Sequence, residues 1–389
     1  MIIEKIEAIP LVYELEKPIC SSAGVCRKKQ MLLIKVYTDE GIVGYGDSAP
    51  FGGPVQSTKA VIDYEIAPLL VGENPLNIEK LWKKVFYTCV QHGRSGIVIS
   101  ALSGIDIALW DILGKVSGLP VYQLLGGFKR STPVYASGGF YMENKTNDDL
   151  SKEVERYMEL GFAGVKIKVG RTPQSKSLGY SNLYSDYCAV SFQDDLQRVK
   201  EVREVIGEEA LLMVDANCAW QYSDALRAGR YYDELGLYFF EEPLKTDDYE
   251  SSGKLALNLT TPIAGYETEY RLANFNKLLD YQAVDILQPD LSWSGGITET
   301  AKIAHLAEAN YKEFTLHMWS SGILLAASVH FTCGLSNGAV LEYDMSPNPF
   351  REELMVNPLK YEGGNICVPE LPGLGVEIRE DIVTKYRID

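Results

Sequence analysis

From about residue 131 onward, eight short runs rich in strand formers alternate with amphipathic stretches of helix length: TPVYASG, AGVKIKVG, LLMVDAN, LYFFEEP, TPIAGYE, VDILQPD, EFTLHMW and AVLEYD. Such alternation builds βα units, and βα units build a parallel sheet. Eight strands spread over about 210 residues favour a closed barrel over an open doubly wound sheet. One connection is out of scale. Residues 171–192, RTPQSKSLGYSNLYSDYCAVSF, form a long, polar, tyrosine-rich insert, a length usually reserved for lids or interfaces.

The first 125 residues follow another rhythm. MIIEKIEAIPLVYEL reads as a strand rather than a signal peptide, and QMLLIKVYTDEGIVGYGDSAP reads as two strands turning at Thr38-Asp39-Glu40-Gly41. Val98, Ala101, Ile105, Ala108, Leu109 and Ile112 then fall on one helical face, and Gly118-Leu119-Pro120 closes that helix. This is an α+β unit. The last stretch, ICVPELPGLGVEIREDIV, is too short for a domain and is expected to return to the N-terminal unit. The expected division is 1–125, 126–355 and 356–389.

Composition narrows the function classes. A net charge of −16 argues against nucleic acid and anionic membranes as partners. No run approaches the roughly 20 apolar residues that span a bilayer. The seven scattered cysteines include no Cys-x-x-Cys pair, which argues against a disulfide framework or a zinc knuckle and fits a reducing cytoplasm.

Barrel enzymes place their chemistry where strands end. The strand ends here carry Lys166 and Lys168, Asp215, Glu241, Glu267, Asp290, His317 and Glu342. An acidic strand end taken singly is an ordinary helix N-cap or solvated position. Asp215, Glu241 and Glu267, however, follow one another at intervals of 26 residues, about one βα unit, which predicts one layer of the barrel. An all-oxygen set suits Mg²⁺ rather than zinc, and a dication explains why the repulsion is tolerated. Glu242 and Glu269 are rival carboxylates that break the spacing.

Lys166 and Lys168, two apart on a strand, point to the same side. Mutual repulsion and burial are expected to depress their pKa values and supply a neutral amine as a base. Asp290 beside His317 is expected to fix the ring tautomer and aim the other nitrogen at the site. Glu342, if burial raises its pKa, donates a hydrogen bond to an enolate oxygen. His92, His305 and His330 lie off the pattern and read as structural.

GIDIALWDILGKVSGLPVYQLLGG (104–127), VKIKVG, VDAN, EEP, PIAGYE, QPD, the His-x-Trp of His317 and Trp319, and LEY together resemble the successive signatures of the mandelate racemase subgroup of the enolase superfamily. The resemblance runs through nearly the whole chain in order. It implies a modified TIM barrel, (β/α)7β, under an N-terminal α+β capping domain completed by the C-terminal segment. It further implies Mg²⁺ on Asp215, Glu241 and Glu267, Lys168 as base, a His317–Asp290 dyad, Glu342 as enolate partner, and Asn217 and Trp319 toward the substrate. The 171–192 insert is longer than that family carries.

The expected reaction is removal of the α-proton of a carboxylate by Lys168, with Lys166 neutralising the carboxylate. Loss of a β-hydroxyl protonated by His317 then makes the chain a sugar-acid dehydratase. Return of a proton by His317 instead makes it a racemase or epimerase. Less favoured are a cycloisomerase, a non-catalytic barrel, and a cofactor enzyme binding phosphate at Ser294-Gly295-Gly296. Pro18–Lys29, Ser48–Val55 and the insert are the candidate specificity segments, and a homo-oligomer is expected.

Overall fold

The computed structural model describes residues 1–49, 53–173 and 186–388. Three antiparallel strands, β1 (Ile3–Ser21), β2 (Gly24–Thr38) and β3 (Val43–Ser48), open the chain. The turn into β3 is the expected one, with Gly41 at φ 79° and the Thr38 N–H donating to the Ile42 carbonyl at 3.0 Å. Leu32, Ile34 and Val36 face a cap core with Trp82 and Ile105, whereas Met31 and Leu33 face the core shared with the barrel. Burial of both faces accounts for the unbroken apolar run in β2.

The helix Ile97–Ser117 is the spine of this unit. It ends on Gly118 in the left-handed conformation at φ 69°, as the Gly-Leu-Pro pattern predicts. By length and composition it could cross a membrane, contrary to the sequence expectation. Here most of it is buried against β3 and helices of the cap and barrel. Gly44 and Gly46 of β3 let the backbones meet. A Cβ on Gly46 would lie 1.9 Å from the Gly104 carbonyl oxygen.

The eight expected barrel strands are present: β4 (Ser131–Gly138), β5 (Gly164–Lys168), β6 (Leu211–Asp215), β7 (Phe239–Glu241), β8 (Ile263–Gly265), β9 (Ile286–Leu287), β10 (Glu313–Phe314) and β11 (Leu341–Asp344). Neighbours from β4 to β10 pair in parallel, and β11 pairs in parallel with β4. Between β10 and β11 the link is thinner, an isolated parallel bridge from Phe314 to Gly338. One principal helix follows each of the first seven strands, among the described residues, which is the (β/α)7β order. Several start on side-chain caps, with full capping boxes at Thr146/Asp149 and Ser191/Asp194.

Alternation along the strands sorts the interior. Val165, Ile167, Leu212 and Val214 join the main core, while Tyr135, Met213, Phe239, Ala264, Ile286 and Val340 form a separate apolar cluster. That cluster is the barrel's floor, with the Lys166 ammonium 5.6 Å above the Tyr135 ring.

The C-terminal segment divides its contacts. Tyr361–Glu362 and Asn365–Cys367 form a small hairpin whose second strand pairs antiparallel with β4 of the barrel. The rest returns to the cap as expected. The Leu374 N–H donates to Asp111 Oδ1 at 2.8 Å, Lys35 pairs with Glu380 at 2.5 Å, and the Ile388 N–H donates to the Pro10 carbonyl at 3.0 Å.

Candidate active site

Ladder register pairs Lys168 with Asp215 and Asp215 with Glu241, so three of the expected groups lie side by side on β5, β6 and β7. The next step differs from the sequence reading. Glu241 pairs with Ala264, and Glu267 lies two residues beyond the end of β8. The even interval therefore does not mark a single layer. Asp290 and His317 likewise lie three residues past the regular parts of β9 and β10. Backbone bonds carry the pattern on, the His317 N–H donating to the Pro289 carbonyl at 3.1 Å.

The side chains converge nonetheless. Lys166, fully enclosed, places Nζ 2.6 Å from Glu241 Oε2 and 2.8 Å from Glu342 Oε1. Lys168 hydrogen-bonds Asp215 Oδ2. His317 Nδ1 is 2.7 Å from Asp290 Oδ2, and Nε2 is 3.1 Å from Glu267 Oε2. Asp290 is held in turn by the Ser292 N–H at 2.7 Å and the Ser292 hydroxyl at 2.5 Å. Every acidic and basic group named at the strand ends is buried at this mouth.

Two expectations about protonation are corrected. Burial pushes the lysines toward neutrality, but Glu241 and Glu342 hold Lys166 well above the ordinary lysine value, and Asp215 raises Lys168 despite Lys166. The neighbouring carboxylates outweigh the mutual repulsion of the two ammoniums, so neither lysine is a depressed amine. Glu342 is not a raised acid either. Burial works against its charge, but Lys166, His317 and Lys168 hold it at about 2. Its Oε2 accepts from the Met318 N–H at 3.1 Å, so it is an ionised anchor.

The carboxylates behave as an under-compensated cluster. Burial first and Asp215 next raise Glu241 to about 8. Burial also raises Glu267 although His317 opposes it. Glu241 Oε1 is buried without a hydrogen-bond partner. An all-oxygen group with excess negative charge and an unused buried oxygen fits a hard dication. Of the rivals, Glu269 is committed to the Tyr249 hydroxyl at 2.6 Å and the Asn274 amide at 2.7 Å. Glu242 accepts from the Cys218 thiol at 3.4 Å, and burial and the neighbouring Glu267 push its carboxyl well above the usual carboxylate range.

On the acid side, burial favours neutral His317, but Glu267 and the hydrogen-bonded Asp290 more than offset it and raise the ring to about 10. Asn217 follows Asp215 in a left-handed turn at φ 40°, its N–H donating to Asp215 Oδ1 at 2.7 Å and its Oδ1 buried without a partner. Trp319 packs under the cap, with the Lys29 ammonium 3.7 Å from its ring centre.

Several contributors escaped the sequence reading. Gln288 donates to Glu241 Oε2 at 3.1 Å; its place in the Gln-Pro-Asp run was the available signal. Asp47 of β3 accepts from the Ser320 hydroxyl at 2.7 Å and the Ser321 hydroxyl at 2.6 Å, tying the cap to the loop that carries His317. Lys29 reaches from the cap to Asp344 Oδ2 at 3.0 Å, so the Pro18–Lys29 segment does lie at the mouth. Of Ser48–Val55 and the insert, residues 50–52 and 174–185 lie outside the described residues. The insert's described ends are anchored by Arg171, whose guanidinium donates to the Ser21 carbonyl at 2.6 Å and the Tyr187 carbonyl at 2.8 Å. The less favoured phosphate alternative fails on space. Asp106 fills the helix start at Gly295-Gly296, accepting from the Thr298 N–H at 2.9 Å.

Comparison with known proteins matches residues 5–126 to the mandelate racemase/muconate lactonizing enzyme N-terminal domain and residues 149–382 to the enolase C-terminal domain-like family. The chain belongs to the mandelate racemase/muconate lactonizing enzyme family. This member of the enolase superfamily is 36% identical over 358 residues to an arabinonate dehydratase of Saccharolobus solfataricus, covering 92% of this chain and 91% of the relative. It is 32% identical to a D-galactarolactone cycloisomerase of Agrobacterium fabrum, covering 97% of each. A solved structure described as a racemase from Streptomyces coelicolor with bound magnesium superposes with a TM-score of 0.88 at 26% identity, covering all of both chains. This family member is an enzyme of the lyase or isomerase kind found among its relatives.

Proposed function

We propose that this enzyme is a Mg²⁺-dependent sugar-acid dehydratase, converting an aldonic or aldaric acid into a 2-keto-3-deoxy acid. The observation that carries the acid–base reading is the opposed pair at the mouth: Lys168 on Asp215 from β5, and the His317–Asp290 dyad beyond β10 and β9. Dehydration is preferred because arabinonate, D-xylonate and L-talarate/galactarate dehydratases are among the relatives, and Asp290 on Nδ1 supports His317 as the acid that β-elimination needs.

Asp215, Glu241 and Glu267 would hold the ion, which supplies Lewis-acid polarisation of the substrate carboxylate. Lys166, fixed between Glu241 and Glu342, adds positive charge at that carboxylate. Lys168 takes the α-proton once Asp215's charge is otherwise met, and the C–H electron pair passes into the enediolate. As that pair returns to form the Cα–Cβ double bond, the β-carbon–oxygen bond breaks. His317 gives its Nε2 proton to the departing hydroxyl, water leaves, and the enol becomes the keto acid. Asn217 and Trp319 contact the substrate, and the cap loops select it. The proposal includes the domain limits 1–125, 126–355 and 356–389. It also includes a homo-oligomer, and a cytoplasmic location that rests on the cysteine usage.

The test is a screen of mono- and diacid sugars with Mg²⁺, following keto-acid formation and incorporation of solvent deuterium at the α-carbon. Exchange without keto acid moves the assignment to racemase or epimerase. Absence of exchange with every acid, together with no effect of Lys168→Ala or His317→Asn, overturns the mechanism.

A further inference from the structure

On the cap, away from the elements that build the barrel mouth, three side chains of different ligand chemistry meet. Cys89 is the last residue of helix Ile78–Cys89, and His92 follows in the next turn, its N–H donating to the Cys89 carbonyl at 3.1 Å. Glu65 comes from a neighbouring segment, a π-helical turn at Ile62–Ile66. Such turns occur mostly as single-turn bulges inside α-helices, frequently at functional sites. Glu65 Oε2 lies 2.7 Å from His92 Nε2 and 3.8 Å from Cys89 Sγ, and the three ligand atoms are all within 4.8 Å of one another.

We propose that Glu65, Cys89 and His92 bind a borderline-soft divalent cation of the zinc class, at a site separate from the Mg²⁺ mouth. One thiolate, one imidazole and one carboxylate form a donor set that zinc accepts and magnesium does not. The dimensions agree. Ligands at about 2.0–2.3 Å around a tetrahedral ion stand roughly 3.3–3.8 Å apart. The separations at Glu65 are 2.7 and 3.8 Å and the third is within 4.8 Å, so binding needs a readjustment of the exposed His92 ring to bring the set into that range. Exposure of His92 also leaves a side open for water as the fourth ligand. The C-terminal end of helix Ile78–Cys89 adds its negative dipole end, which favours a cation.

The Cys89-Val90-Gln91-His92 spacing puts the thiol and the imidazole about one helical turn apart. A bound ion would clamp the Val55–Leu70 segment to helix Ile78–Cys89. The first of these begins at the end of a candidate specificity segment.

Cobalt(II) is the probe, titrated into the full chain with Mg²⁺ in excess. A thiolate-to-cobalt charge-transfer band, with the visible bands of a four-coordinate ion, is expected to saturate at one equivalent. The three carboxylates proposed to hold Mg²⁺ at the mouth have no sulfur donor and cannot give that band. Cobalt binding should release the Cys89 thiol proton, and zinc should then displace the cobalt without releasing another. Cys89→Ser should abolish the band, and His92→Ala and Glu65→Gln should weaken zinc binding roughly tenfold or more. None should change keto-acid formation. No charge-transfer band at excess cobalt overturns the proposal, as does a band of full intensity in Cys89→Ser. Should Cys89→Ser fail to fold, His92→Ala at its exposed position decides, and unchanged zinc affinity there is equally fatal.

Discussion

Asp290 Oδ2 stands 2.7 Å from His317 Nδ1, and the carboxylate is itself fixed through its other oxygen by Ser292. The ring can therefore present only Nε2 to the mouth. Asp290→Asn keeps the shape but removes the charge that helps hold the imidazolium. Dehydration is expected to fall on the order of 10²–10⁴-fold. Exchange of the α-proton, which depends on Lys168, should persist. Deuterium incorporation measured beside keto-acid yield checks this, and equal losses in both would contradict it.

Removing divalent ions should abolish turnover, and adding Mg²⁺ back should restore it. The buried carboxylates also make the metal a stabiliser. At 100 times its dissociation constant an ion adds about 2.7 kcal/mol. Thermal unfolding with and without Mg²⁺ measures the effect, and an unchanged midpoint would argue against Asp215, Glu241 and Glu267 as the ligands.

His330 gives a pH signature remote from the chemistry. Burial lowers its pKa to about 4, and its Nδ1 accepts from the Tyr122 N–H at 3.2 Å. The unfolded chain binds that proton more readily, so stability is complete above the ordinary value near 6.5, declines below it and levels off below about 4. The span corresponds to on the order of 3 kcal/mol. Urea unfolding between those limits should show a shallower slope in His330→Asn than in the parent.

Gly46→Ala should destabilise by the upper part of about 1–3 kcal/mol or beyond, because its Cβ meets backbone that cannot step aside. Gly41→Asn is the control: its φ of 79° suits asparagine, and a Cβ there has nothing within 4 Å. Chemical denaturation should separate the two variants clearly.

The barrel was legible because local pattern and global fold agree: each β-rich run is a strand and each amphipathic stretch a helix. Lys166, Lys168, Asp215 and Glu241 were legible because strand alternation fixes their direction. Glu267, Asp290 and His317 were reached by the right rule with the wrong geometry, since they project from extensions beyond the ladders. Protonation was not legible, because it depends on which opposite charges come within 3 Å, as Glu241 and Glu342 do at Lys166. Nor were the long-range ties, Asp47 to Ser321 and Lys29 to Asp344, which join positions some 270–315 residues apart.

The helix Ile97–Ser117 is seamed to β3 on one side and to helix Gly296–Ala309 of the barrel on another, with the Trp110 indole donating to Thr298 Oγ1 at 2.8 Å and Asp106 capping the barrel helix. A roof bolted along its ridge cannot lift as one piece. Substrate must then enter past the short rim segments rather than by a swing of the whole cap. Grafting a relative's cap onto this barrel would require transplanting the ridge and its sockets together, whereas exchanging the rim alone leaves the frame intact.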